Sequence, residues 1–203
     1  MSAEAGPANA LTGAGSGIPR HSVGGPAGSP PRDAGRVLAE VPTSADEDAY
    51  KTASTHAAKG VAVLTARQGR WDHAVTVTDF LSVSYDPPTM LVSLYELSRM
   101  ADVVVDTGRF TLNLLTDRQG SVADRLGWGG APLVGLLDQV PFFRREPHGP
   151  ALIEGALAWF ELRVTDVHPV ATHRLVVGRV VAMGSDAPAG ARPLVRWRSE
   201  YRR

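Results

Sequence analysis

Hydroxyl side chains are concentrated in the segment 76–90, directly before a pair of prolines. The hydroxyl residues that share one alternate set of positions are Thr76, Thr78, Ser82 and Ser84. In a regular strand all of them would leave the same face, where they could bind a polar ligand. The prolines predict a turn or a sheet edge beside that face. A solvent-facing strand is the alternative, because threonine favours strands in any case.

Two further places could contact a ligand. Ser98 occupies the N-cap position of a predicted helix over 99–107, and Arg99 adds a guanidinium. The hydroxyl, the first N–H groups and the positive end of the helix dipole together form a cradle for phosphate. An ordinary capping serine is the alternative. His173 begins a later strand, where a lone histidine is more often a satisfied turn residue than a catalytic one.

The composition excludes several classes of protein. The chain has 203 residues, is 43% hydrophobic and carries 21 basic and 21 acidic side chains, which fits one soluble domain with or without a tail. The balanced charge gives no electrostatic basis for binding nucleic acid. There is no cysteine, so redox chemistry would require a bound cofactor. The six histidines show no metal-ligand spacing, so no metal is expected.

The two ends of the chain differ in composition. The first 35 residues contain eight glycines and five prolines, so we expect a disordered tail over 1–43 and an ordered domain over 44–203. A start codon assigned too far upstream would produce the same pattern. No apolar run approaches the roughly 18 residues of a membrane span. The N-terminus does not resemble a secretory signal, so we expect a cytoplasmic protein with no membrane contact.

Periodicity and capping signals predict a mainly β fold. A capping box at Ser44 and Glu47 predicts a helix over about 45–59, and a second one at Thr116 and Gln119 opens a helix of about ten residues. Six or seven strands with few helices favour a split antiparallel β-barrel with small peripheral helices. The predicted strands are 61–66, 71–78 with an extended segment that continues to about 86, 89–95, 110–115, 151–167, 175–183 and 194–197.

The segment 76–88 resembles the signature Thr-x-x-Ser-Phe-x-Ser-Val-Ser-x-Asp-Pro-Pro of the flavin reductase-like family, which are split-barrel flavin-binding proteins. The matching residues are Thr76, Phe80, Ser82, Val83, Ser84, Asp86, Pro87 and Pro88, whereas Asp79 replaces a serine. The segments 108–115, 155–161 and 193–201 are also similar to the family.

Two other family motifs are matched in part. Where the family has Asn-x-x-Ser-x-Thr, this chain keeps Ser98 but has Tyr95 and Met100. Where the family has Gly-Asp-His-x-x-x-x-Gly-x-Val, the chain keeps His173, Gly178 and Val180 but has Ala171 and Thr172 for Gly-Asp.

The resemblance implies an NAD(P)H:flavin oxidoreductase that uses FMN or FAD and takes hydride from NADH or NADPH. By this resemblance the residues that line the flavin ring are Thr76, Val77, Thr78 and Asp79. Ser82 and Ser98 with Arg99 hold the ribityl phosphate end, and His173 borders the nicotinamide as the catalytic residue. The resemblance also implies a homodimer that delivers reduced flavin to a monooxygenase.

Two other classes of protein stay open. A non-catalytic flavin-binding protein would bind flavin without consuming NAD(P)H, and a small-barrel interaction module would bind no cofactor. The basic residues near the C-terminus could meet a dinucleotide phosphate or form a solvated tail. They are Arg192, Arg196, Arg198, Arg202 and Arg203.

Overall fold

A seven-stranded antiparallel sheet forms the body of the protein in the computed structural model, which describes residues 44–127 and 135–202. The predicted tail over 1–43 lies outside the described residues. The elements in chain order are α1 (Ser44–Ser54), β1 (Lys59–Gly60), β2 (Ala62–Gln68), β3 (Trp71–Val77), β4 (Phe80–Tyr85), β5 (Pro88–Tyr95), α2 (Arg99–Thr107), β6 (Arg109–Leu114), a 3-10 helix (Asp117–Gln119), α3 (Gly120–Gly127), β7 (Phe142–Phe143), β8 (Leu152–Ile153), β9 (Ala158–Val170), β10 (His173–Gly184), β11 (Val195–Trp197) and β12 (Glu200–Arg202).

The order of strands in the sheet explains the split barrel. The spatial order is β3, β2, β6, β9, β10, β5, β4, and all neighbours are antiparallel. The two edge strands, β3 and β4, follow each other in the chain with only Thr78 and Asp79 between them. The sheet must therefore curl until its edges meet at this connection. The predicted mainly β antiparallel architecture is confirmed.

Alternate burial along the strands creates two apolar layers. On β5, Met90, Val92 and Leu94 are buried in the interior of the barrel, where four side chains of α2 join them. Val61, directly before β2, and Val63 on β2 face the opposite side and pack against α3 and the C-terminal segment. Each fully buried large side chain contributes about 1.5–3 kcal/mol by leaving water. Among the described residues, no helix is long and apolar enough to cross a lipid bilayer.

Local capping signals predicted α2 correctly. The helix has the predicted bounds, Ser98 is its N-cap, and its hydroxyl accepts from the Ala101 N–H at 3.2 Å. Gly108 ends the helix with a φ of +64°, a conformation that glycine adopts without steric cost. The predicted capping box before α3 is also present, because the Thr116 N–H donates to Gln119 Oε1 at 3.0 Å.

Other boundaries were wrong for tertiary reasons. The predicted helix over 45–59 ends at Ser54, because Lys59 and Gly60 instead pair with β11. The predicted strand over 151–167 is divided into β8 and β9 by a turn in which Gly155 has a φ of +70°. The predicted strand over 71–78 corresponds to β3, but its expected continuation to about 86 is interrupted at Thr78 and Asp79.

A buried amide joins three strands. Asn113 is fully buried on β6, and its Nδ2 donates to the Val63 carbonyl at 3.0 Å and to Thr111 Oγ1 at 2.9 Å. Its Oδ1 accepts from the Ile153 N–H at 3.0 Å. Because the side chain uses both of its polar atoms, it ties β2, β6 and β8 together without an unsatisfied group.

We predict that Asn113→Ala lowers the free energy of unfolding by about 2–4 kcal/mol, because the Val63 carbonyl and the Ile153 N–H lose their buried partners. Urea denaturation measures this change. Thr165→Ala at an exposed position of β9 serves as the control and should change stability by less than about 0.5 kcal/mol. Equal effects of the two substitutions would show that the amide network is not stabilising.

Candidate functional site

The connection between β3 and β4 is the first part of the site. Thr78 and Asp79 lie outside the strands, and the Asp79 carbonyl accepts from the Ser93 N–H of β5 at 2.8 Å. The Asp79 carboxylate is 56% exposed and forms an ion pair with Lys59 Nζ at 2.5 Å. The carboxylate that replaces the family's serine is therefore charge-compensated by a residue that the motif does not include.

The hydroxyl residues of 76–84 do not form the single face expected of a regular strand. Thr76 Oγ1 donates to the Ala123 carbonyl of α3 at 2.8 Å, and the Val77 side chain is buried in the barrel interior. Ser82 follows the strand break, and a register shift separates it from Ser84. The break and the bulge therefore direct these side chains to different surroundings.

The start of α2 is the second part of the site. The Ser98 hydroxyl accepts one helical N–H as a cap and still has its own proton to donate. The N–H groups of the first turn lack acceptors within the helix, and the exposed Arg99 adds a positive charge. Asp102 in the same turn is bound by Arg174 Nη1 at 3.0 Å, which offsets its negative charge.

The tip of the β9–β10 hairpin is the third part. His173 is directly opposite Tyr95 in the register of β10 with β5, and the two rings meet edge to face with centroids 5.8 Å apart. His173 Nδ1 lies 3.0 Å from Thr172 Oγ1, and the Thr172 carbonyl accepts from the Glu96 N–H at 3.0 Å. These contacts attach the tip to the connection that leads into α2.

Ala171 has a φ of +51°, in the left-handed region that favours glycine. This residue stands where the family motif has glycine, and an alanine there adopts the conformation at a cost of about 1–2 kcal/mol. The tip therefore keeps a glycine-type backbone without a glycine.

The structure brings together five of the eight predicted site residues at one end of the barrel. They are Thr78, Asp79, Ser98, Arg99 and His173, and the contacts of Ser93 and Tyr95 on β5 connect them. Ser82 lies apart from this group. It pairs with Met90, and Met90 is five residues, or about 16 Å, from Tyr95 along β5. The side chains of Thr76 and Val77 do not join this group, because they are used by α3 and the core.

Sequence reasoning missed His73. It is 5% exposed on β3, and its Nε2 finds no hydrogen-bond partner among the described residues. Burial lowers the pKa of His73, the nearby Arg99 lowers it further, and Asp72 opposes them. The sequence did contain a signal of its burial. His73 belongs to the same alternate set of strand positions as Val75 and Val77, both of which contact the barrel core.

Lys59 was also missed, because 20 residues separate it from Asp79 and no motif includes it. Within residues 44–127 and 135–202, no group of three or more His, Asp or Glu side chains is placed to hold a metal ion.

Comparison with known proteins gives a consistent result. A family model described as "Flavin reductase like domain" matches residues 54–203. The chain is 31% identical over 159 residues to the reductase component of 4-hydroxyphenylacetate 3-monooxygenase of Thermus thermophilus, covering 77% of this chain and 96% of that protein. It is 32% identical over 165 residues to the NADH-dependent flavin reductase StyB of Pseudomonas fluorescens, covering 80% and 92%.

The fold is similar to a solved structure at comparable sequence identity. The styrene monooxygenase flavin reductase of Pseudomonas putida S12 superposes with a TM-score of 0.66 at 32% identity, over 75% of this chain and 95% of that chain.

We predict that His73 makes stability depend on pH. Its pKa is lowered in the folded state, so below the unfolded value of about 6.5 only the unfolded chain gains the proton. The free energy of unfolding should be constant above that pH and should fall as pH decreases towards the lowered pKa. Urea denaturation from pH 8 to pH 5 tests this, and His73→Gln should reduce the slope. The same substitution at exposed His168 is the control, and identical slopes in both variants would contradict the prediction.

Proposed function

The chain belongs to the flavin reductase-like family, and from this premise we propose that it is an NAD(P)H:flavin oxidoreductase. The observation that carries the proposal is the meeting of three motif segments at one end of the barrel, namely the β3–β4 connection, the start of α2 and the tip that holds His173. Relatives with names such as NADH-dependent flavin reductase support the same activity.

The donor set fits a phosphorylated, planar ligand. The connection at Thr78 and Asp79 offers backbone groups and a hydroxyl to a polar ring edge, and Ser98 with Arg99 and the first N–H groups of α2 offer a phosphate site. We propose FMN or FAD as the cofactor and NADH or NADPH as the donor. Bound flavin would supply the hydride acceptor, N5, for the C4 hydride of the nicotinamide. The chain then needs only to bind and align the two rings.

Asp79 and Lys59 control the charge beside the ring. A lone carboxylate there would oppose the negative charge that accompanies reduction of the flavin. The Lys59 ammonium at 2.5 Å compensates that charge locally, so the pair presents little net field to the ligand.

His173 is the proposed residue at the nicotinamide. Its contact with Tyr95 and the hydrogen bond between Nδ1 and Thr172 restrict the ring, so that Nε2 is the nitrogen left for a ligand. Thr172 stands where the family has aspartate, and its hydroxyl can donate to or accept from Nδ1, so the contact is compatible with either neutral tautomer of His173.

We predict that the purified protein oxidises NADH or NADPH only when flavin is present, as followed by the loss of nicotinamide absorbance. His173→Ala should lower kcat/KM for the nicotinamide about tenfold or more, because the ring loses its bordering side chain. His168→Ala, at an exposed site on β9, should leave the rate unchanged.

Two outcomes would contradict the reductase proposal. The absence of turnover with both donors and with FMN, FAD and riboflavin would overturn it. Flavin binding without turnover would favour the second candidate, a non-catalytic flavin-binding protein. That candidate is supported by one observation, that two of the departures from the family motifs, at Tyr95 and at Ala171 with Thr172, lie at His173 or its hairpin tip.

We also propose a homodimer that supplies reduced flavin to a partner monooxygenase in the cytoplasm. Relatives that are reductase components of two-component monooxygenases support the partner. A group of exposed apolar side chains, called here the edge patch, supports self-association, because large exposed apolar areas often mark interaction surfaces. Its residues lie on the edge strand β4 and on β10, and they are Leu81, Val83, Tyr85, Val181 and Met183.

We predict that Val83→Glu, in the centre of the edge patch, shifts the protein from dimer to monomer, because a buried carboxylate at a symmetric interface is strongly unfavourable. Sedimentation equilibrium measures the change. Val105→Glu on the exposed face of α2 is the control and should remain dimeric. A wild-type protein that is monomeric at micromolar concentration, or a dimer that survives Val83→Glu, would contradict the assignment of this surface.

A further inference from the structure

A basic pocket lies beside the proposed flavin site and shares one residue with it. Thr78 forms part of its wall, and the other lining residues come from the end of α1, from Lys59 and from the turn between β11 and β12. The pocket has a volume of about 80 Å³ and is open to solvent. Its arginines, Arg196 and Arg198, lie in the segment 193–201.

Specific contacts hold the remote segments of the pocket together. Lys59 pairs with Arg196 in the register of β1 with β11. The Arg198 N–H donates to the Thr55 carbonyl at 2.9 Å, and Trp197 Nε1 donates to the His56 carbonyl at 3.2 Å. The C-terminal hairpin is therefore fixed against the end of α1, and the arginines that it carries are not a loose tail.

The charges of the pocket favour an anion. Lys59, Arg196 and Arg198 line it, and Lys59 is paired with Asp79. Three cations against one carboxylate leave an excess of two positive charges. Within the described parts of the chain, no carboxylate lies within ion-pair distance of Arg196 or Arg198.

Aromatic rings orient the two guanidinium groups. The Arg196 guanidinium carbon lies 5.6 Å from the centroid of the Tyr201 ring, and that of Arg198 lies 4.6 Å from the Trp197 ring. Stacking of this kind limits the motion of a guanidinium and leaves its N–H edge for an oxyanion.

The turn between β11 and β12 does not have the residue types that its backbone conformation favours. Arg198 and Ser199 have φ values of +50° and +64°, a geometry for which two-residue hairpins strongly prefer Asn-Gly. Residues that occupy a costly backbone conformation are concentrated at binding and catalytic sites. The turn therefore retains an arginine where stability alone would favour asparagine.

We infer that this pocket binds a phosphate group of a dinucleotide substrate, either FAD or the nicotinamide dinucleotide. The inference rests on the proposed function, because Thr78 contributes both to the pocket and to the ring site. A nucleotide phosphate carries one to two negative charges at neutral pH, which matches the excess of positive charge.

The experiment measures the affinity of the full chain for FAD, riboflavin, NADH, NADPH and ADP by calorimetric titration. The variants are Arg196→Gln and Arg198→Asn, and the second places a favoured residue in the turn, so it should fold at least as stably as the wild type. Arg192→Gln, which removes an arginine that pairs with Asp117 at 3.0 Å, is the matched control.

We expect both variants to weaken binding of FAD or of the nicotinamide dinucleotides by about tenfold, through loss of a charge-assisted hydrogen bond, with riboflavin unchanged. A loss confined to FAD identifies the flavin as the source of the phosphate, and a loss confined to NADH or NADPH identifies the nicotinamide dinucleotide. Unchanged dinucleotide affinities, or an equal loss for riboflavin, would overturn the inference.

The two proposals fail separately. If the wild type reduces flavin and the variants bind dinucleotides as well as it does, the pocket inference fails and the enzyme assignment stands. If the wild type binds no flavin, ADP binding that depends on Arg196 and Arg198 still supports a phosphate pocket. Whether or not the wild type binds flavin, variants that bind the dinucleotides and ADP as tightly as the wild type would contradict the pocket.

Discussion

The pairing of β5 with its two neighbours is the constraint on which the proposed site depends. On one side, the Ser93 N–H binds the Asp79 carbonyl and holds the β3–β4 connection. On the other side, Tyr95 is in register with His173 and holds the tip of the β9–β10 hairpin. The chain then leaves β5 and starts α2 at Ser98 within three residues. A slip of one residue in this strand would turn buried Val92 and Leu94 to the opposite face, so the core enforces the register of the site.

This arrangement gives two of the motif departures a common physical explanation. Tyr95 replaces an asparagine, and Ala171 with Thr172 replaces Gly-Asp, yet the structure places these residues in contact across one pair of strands. The Tyr95 ring packs against His173, and the Thr172 hydroxyl lies within hydrogen-bond distance of Nδ1. These changes lie on one local surface. The other two departures lie elsewhere, because Met100 is buried in α2 and Asp79 belongs to the β3–β4 connection.

Structural features that depend on a few neighbouring residues could be predicted from the sequence. The bounds of α2 followed from Ser98 and Gly108, and the capping box of Thr116 with Gln119 was present, because each depends on a backbone and a side chain within one turn. The break at Thr78 and Asp79 could not be predicted, because it arises from closure of the sheet and not from any residue that forbids a strand there. The compensation of Asp79 by Lys59, the burial of His73 and the fixation of the C-terminal hairpin on α1 all depend on contacts between remote segments.

The central claim is that the end of β5 gathers the groups that hold a flavin. A crystal structure of the protein with FMN bound tests this most directly. The account predicts the flavin ring against Thr78 and Asp79, with its phosphate within hydrogen-bond distance of the first N–H groups of α2 and with His173 beside the ring. Electron density for the flavin elsewhere, such as against the outer face of β4, would contradict it.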